Sequence, residues 1–155
     1  MKAITNNGKV LHMLMGGLLV LTLAGCGSTY VDAFNPAIDE FNDALNNFNT
    51  QIDVVNDDNS MFTDPQWVAE TETTLSVLHG SAQALSTLPE PDSDEYSKLA
   101  DLTKQLADTT LEAADAFRAA IDSGDINQID NADPFFDQIN SLLPQINAEV
   151  GRMNE

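Results

Sequence analysis

Cysteine, tryptophan, tyrosine, histidine and the basic residues are all scarce in this chain, and each shortage excludes something. One cysteine in 155 residues, Cys26, rules out an intramolecular disulfide. His79 is the only histidine beyond the N-terminal apolar segment. No cysteine or second histidine is there to share a metal with it. No carboxylate stands three residues before it, so the Glu-x-x-His pairs of di-iron bundles are absent. A Ser-His-Asp set would need His79 as its base, and nothing marks a serine elbow. There is no glycine-rich phosphate loop and no basic, aromatic-studded patch. Strand-like alternation is missing as well. The longest apolar stretch, Val10 to Ala24, has 15 residues, against the roughly 20 that span a bilayer core. Bases number six against 25 acids. After residue 25 only Lys98, Lys104, Arg118 and Arg152 remain, with all 25 acids, for a side-chain balance of −21. Phosphate backbones and anionic lipid headgroups repel such a surface, so nucleic acid is excluded as a partner. Carboxylates are abundant, but none falls on an apolar seam, where burial would tune it for proton transfer. The expectation is a protein that is not an enzyme and holds no catalytic residue, resident metal or organic cofactor.

The N-terminus is more explicit. Lys2 and Lys9 precede the apolar stretch, which is interrupted only by His12, Gly16, Gly17 and Thr22 and ends in Leu23-Ala24-Gly25-Cys26. Basic, then apolar, then small residues is the order of a secretory signal. A plain signal needs no terminal cysteine. The ordered set resembles the lipobox of bacterial lipoproteins over residues 1–26. That resemblance implies a signal peptide over 1–25 and cleavage before Cys26. It also implies a diacylglyceryl group on the Cys26 thiol and an extracytoplasmic location anchored to a bacterial membrane by lipid. Gly27, rather than aspartate, after the cysteine implies the outer membrane in a Gram-negative cell. Stable anchoring takes more than one acyl chain, a condition the diacylglyceryl group meets.

Beyond a lipidated tether at 26–30, residues 31–155 read as one helical domain. Val31, Phe34, Ile38, Phe41, Leu45, Phe48, Ile52 and Val55 alternate spacings of three and four, the seam of a bundled helix. Thr29 with Asp32 is one start signal, and Asn35 followed by Pro36 in the first turn is the other. Asp64 and Pro65 open a second helix that runs to about Leu88 with Val68, Thr71, Leu75, Leu78, Ala82 and Leu85 on one face. The Pro89 to Asp92 segment cannot continue it. A third helix opens at Ser93 or Asp94, carries Tyr96, Leu99, Thr103, Leu106, Thr110, Ala113, Phe117 and Ala120, and stops at Ser123-Gly124. Thr110 and Ala113 are small, and a neighbour or a ligand-sized gap belongs there. Asp125 caps a fourth run through Ile129, Ala132, Phe136, Ile139, Leu143, Ile146, Val150 and Met153. Pro134 and Pro144 interrupt that run, either as a restart at Pro134 with a kink at Pro144 or as breaks. The expected fold is all-α, an antiparallel up-down-up-down four-helix bundle. A three-helix array with a loose last segment is the competing arrangement.

Two surfaces are candidates for function. Asn35, Asn42, Asn49 and Asn56 recur every seven residues, each just after a seam residue, and Asn140, Asn147 and Asn154 do the same in the fourth run. Asparagine costs roughly half a kcal/mol relative to alanine inside a helix. The repeat is therefore a ladder between helices one and four, a strip that meets a partner protein, or a set of boundary residues. The second candidate is the end of the bundle opposite Cys26, which gathers Asp53, Asp57, Asp58, Asp64, Asp122 and Asp125 with Met61, Phe62 and Trp67. The acids suit a Ca²⁺ site or helix caps, although the EF-hand spacing is absent. The apolar trio suits a partner anchor or a plug for the core. The expected role is a membrane-anchored interaction or scaffold module. The alternative is an extracytoplasmic binding protein for a small ligand or divalent cation.

Overall fold

The computed structural model describes residues 28–155; the signal, the lipobox and Cys26 lie outside the described residues. Four α-helices follow one another: α1 (Thr29–Asp57), α2 (Pro65–Ser86), α3 (Ser97–Ser123) and α4 (Asp133–Met153). Short 3₁₀ turns at Asn59–Thr63, Asp94–Tyr96 and Ile126–Asn131 join them. Consecutive helices pack antiparallel, and the whole is an all-α four-helix bundle. The fourth segment is no loose appendage, since Phe136, Ile139, Leu143, Ile146 and Val150 are all buried.

Chemistry at the ends explains each boundary. Ser28, rather than Thr29 or Asn35, caps α1, and its hydroxyl accepts from the Val31 amide at 3.2 Å. The helix therefore starts before residue 31, and Pro36 lies in its interior, solvent-exposed. Only the bond to the Asp32 carbonyl is lost there, on the side that water can reach. Asp64 accepts from the Gln66 and Trp67 amides at 2.9 and 3.0 Å, and Pro65 fills the first position of α2, as its sequence demands. Gly124 ends α3 in the left-handed region at φ 67°, where a Cβ would be strained. Asp125 caps the 3₁₀ turn instead of α4 itself. The fourth helix restarts at Asp133 with Pro134 in its first turn, then continues through Pro144. Ile129 and Ala132 stay buried although they precede α4, so the apolar register survives the interruption.

All eight seam residues of α1 are buried. The centre is aromatic: Phe48 meets Phe117 edge-on at 5.1 Å and Phe136 at 6.1 Å, and Phe117 lies 6.3 Å from Phe136. These contacts tie α1 to α3 and α4 by side chains. Backbone approach is close between consecutive helices and much sparser between α1 and α4. Thr103 and Thr110 are buried in α3, and each donates its hydroxyl to the carbonyl four residues back at 2.8 Å. These two hydroxyls are thereby satisfied within α3 itself.

Candidate functional site

The antiparallel order gives the bundle two ends. The proximal end holds Ser28, the α2–α3 turn and the C-terminus of α4. The distal end holds the α1–α2 and α3–α4 connections.

At the distal end the acids act locally. Asp58 accepts from the Ser60 amide at 3.0 Å and from its hydroxyl at 2.7 Å, and these bonds hold its carboxyl below the usual range. Asp64 caps α2, and Asp125 accepts from the Asn127 amide at 3.0 Å and side chain at 2.7 Å. Asp53, Asp57 and Asp122 are solvent-exposed. Two groups result, one on the α1–α2 connection and one on the α3–α4 connection. Among the described residues no three histidine, cysteine, aspartate or glutamate side chains converge as metal ligands would.

The apolar trio closes the core. Phe62 and Trp67 are 1% and 2% exposed, with ring centroids 5.7 Å apart, and Met61 is half-buried beside them. The Trp67 indole donates to the Gln51 carbonyl at 3.1 Å, pinning α2 to α1. A partner cannot touch Phe62 without opening the bundle, so of the trio only Met61 is offered to solvent. The gap anticipated on α3 is closed as well: Thr110 and Ala113 are 0% and 1% exposed. A partly enclosed hollow of about 280 Å³ lies instead at the proximal end, between Tyr30, Leu88, Pro89 and Ala100. His79 is half-buried on the flank of α2.

Two proximal residues escaped the sequence reading. Asp92, in the α2–α3 turn, accepts from the Ser28 hydroxyl at 2.8 Å and the Thr29 amide at 2.9 Å. The Ser28 bond is the main reason its carboxyl sits below the ordinary range. A residue more than 60 positions away thus caps α1 from outside, and no local motif announces it. Glu149 lies on the flank of the α4 seam, beside Val150, yet its side chain is only 3% exposed, so an acid is buried here without occupying a seam position. Arg152 donates to Oε1 at 2.7 and 3.0 Å, and Lys98, from α3, donates to Oε2 at 2.8 Å. The guanidinium first, and then the ammonium, hold the Glu149 carboxyl below its usual range. The three-residue spacing from Glu149 to Arg152 is the one signal in the sequence, since it places both on one face of a helix. A seam traced through apolar residues alone passes over it. Tyr30 stacks between Phe34 and Tyr96 at 5.9 and 6.0 Å, and burial pushes its phenol up to about 12.

The asparagines are largely covered. Asn35, Asn42, Asn49, Asn56, Asn140 and Asn147 are all half-buried, and Asn154 is exposed near the chain end. The Oδ1 atoms of Asn140 and Asn147 are buried. This face is therefore no open polar strip. Among the described residues no helix is long and apolar enough to cross a membrane. No family model, curated protein or solved structure matches the chain.

Proposed function

We propose that the chain is a lipid-anchored extracytoplasmic lipoprotein whose bundle is a non-catalytic interaction or scaffold module held close to its membrane. The observation that carries this reading is Leu23-Ala24-Gly25-Cys26 standing two residues before the cap of α1. Gly27 and Ser28 alone separate the lipid-bearing position from the helix, a reach of about 10 Å. Asp92 clamps that cap to the α2–α3 turn, so fraying of α1 does not lengthen the tether. The bundle then stands upright on its proximal end. Its distal end, with Asp57, Asp58, Asp122 and Met61, faces away from the lipid, and its negative charge favours partners with basic surfaces.

The test is Cys26→Ser in a bacterial host. The expected outcome is transfer from the membrane fraction to the soluble extracytoplasmic fraction, with loss of the lipid mass from the N-terminal peptide. A Cys26→Ser protein that stays on the membrane sinks the anchor. For the outward face, Asp57→Lys with Asp122→Lys leaves the fold intact, since both side chains are exposed. Capture of a basic partner by the wild type and not by this variant is the expected result.

A further inference from the structure

One polar atom at the proximal end is left without a bond. Tyr30 is 1% exposed, and its buried hydroxyl has no hydrogen-bond partner among the described residues. Burying a hydroxyl unpaired is costly, and folded chains rarely leave one so. Its surroundings show where the missing partner belongs. Thr103 and Asp101 are the side chains that act on the phenol, and both line the proximal hollow, as Tyr30 itself does. The hydroxyl end of the ring is therefore the part of Tyr30 turned to that hollow of about 280 Å³.

The walls of the hollow are held in place. Pro89 and Pro91 fix the backbone of the α2–α3 turn on one side. Asp92 ties that turn to α1 through the Ser28 hydroxyl and the Thr29 amide. Leu85, Leu88 and Ala100 add an apolar lining. The polar side chains are acceptors. Thr103 donates its proton to the Leu99 carbonyl and Ser86 donates its own to the Gln83 carbonyl, each at 2.8 Å, so both present lone pairs to the hollow. Glu90 and Asp101 bring carboxylates. Lys104, the cation on the rim, is held by Asp108 at 3.0 Å. The Tyr30 oxygen adds lone pairs that nothing else uses.

A recess of acceptors with negative charge and an apolar lining takes a ligand of the opposite character. We propose that the hollow binds a short-chain primary amine, its ammonium directed to the Tyr30 and Thr103 oxygens beside Asp101 and its carbon chain lying against Leu85, Leu88 and Pro89. An ammonium carries three N–H donors and no acceptor, and at neutral pH it is charged. At about 30 Å³ per water-sized group the hollow has room for roughly nine such groups, enough for an amine of about four to six carbons. An anionic ligand would meet Glu90 and Asp101 with like charge. A metal ion is a poorer match, since among the described residues no three carboxylates converge. Such a site needs neither the lipid on Cys26 nor a protein partner, so it stands or falls separately from the anchor.

Titration of n-butylamine into the isotope-labelled full chain, in non-ionic detergent at fixed pH and ionic strength, tests the site. The expected result is saturable amide shifts centred on Tyr30, Ala100 and Thr103, with a Kd of about 1 mM, the scale that so small a ligand supports. n-Butanol lacks the charge and tetramethylammonium lacks the N–H donors, so each should bind about tenfold more weakly or worse. Tyr30→Phe separates a ligand role from a packing role. It removes the orphaned hydroxyl and keeps the ring, so the urea midpoint should hold or rise while amine affinity falls about fivefold or more. Ala100→Leu fills the hollow from α3 and should abolish the shifts in a folded chain. Absence of saturable shifts in the wild type leaves water alone as the occupant and overturns the proposal. Equal binding of tetramethylammonium reduces the effect to bulk charge and does the same. So does a Tyr30→Phe chain that is less stable yet binds the amine unchanged.

Discussion

The two ends of the bundle are stabilised by different means. At the distal end, Asp58, Asp64 and Asp125 each bind amides two or three residues ahead. At the proximal end, Ser28 meets Asp92 across 64 positions, Lys98 meets Glu149 across 51, and Tyr30 stacks on Tyr96. Local caps stop and start helices one at a time. Long-range clamps tie helices to each other, and they sit at the end from which the proposed tether leaves. Strain transmitted through Cys26 would meet the end where separate helices are bonded together, while the distal connections can vary without loosening that base.

The largest expected effect tests whether the distal end is held only by caps. Phe62→Ala opens the plug over Trp67 and should cost about 3 to 5 kcal/mol in thermal or urea unfolding. A loss under about 1 kcal/mol would mean that the core ends below Phe62 and the caps suffice.

Next comes the proximal cluster. Lys98→Met with Arg152→Met leaves the Glu149 carboxylate buried without a counter-charge. The expected cost at neutral pH is about 2 to 3 kcal/mol, below the usual figure for a buried pair because both cations are mostly exposed. The folded pKa of Glu149 is depressed, so its stabilisation is present above the ordinary value of 4.5 and lost as pH falls through the lowered one. The gap between variant and wild type should therefore narrow below that value. A gap that stays constant into acid would assign the loss to packing of the long side chains and not to charge.

The smallest effect sharpens the contrast between local and distant capping. Asp64→Ala should cost about 1 kcal/mol and speed amide exchange only at the start of α2. Asp92→Ala removes a cap that belongs to another helix, so it should speed exchange at Thr29 and Val31 while the start of α2 is unaffected. Identical exchange patterns in the two variants would erase the distinction between the ends.

Legibility followed the same division. Asp64-Pro65, Ser123-Gly124 and the Pro134 restart could be read because each acts within a few residues. The seams could be read because a period of three and four survives any choice of neighbour. Phe62 and Trp67 left a choice between anchor and plug that composition does not make; burial against α1 and α2 made it. Glu149 was passed over because a single acid on the flank of a seam looks solvent-exposed until Lys98 arrives from α3. Asp92 lies in a proline-rich turn and looks like one more soluble acid.

By itself, then, the sequence determined the helices, the Asp64 and Gly124 caps, the all-α bundle and the excess of negative charge, since these depend on periodicity, neighbouring groups and counting. Tertiary structure alone decided which flank of each helix meets which neighbour. It therefore also decided that α1 is capped from the α2–α3 turn and that Glu149 is buried between two cations. Those outcomes depend on residues brought together across the bundle, and the separation along the chain carries no record of them.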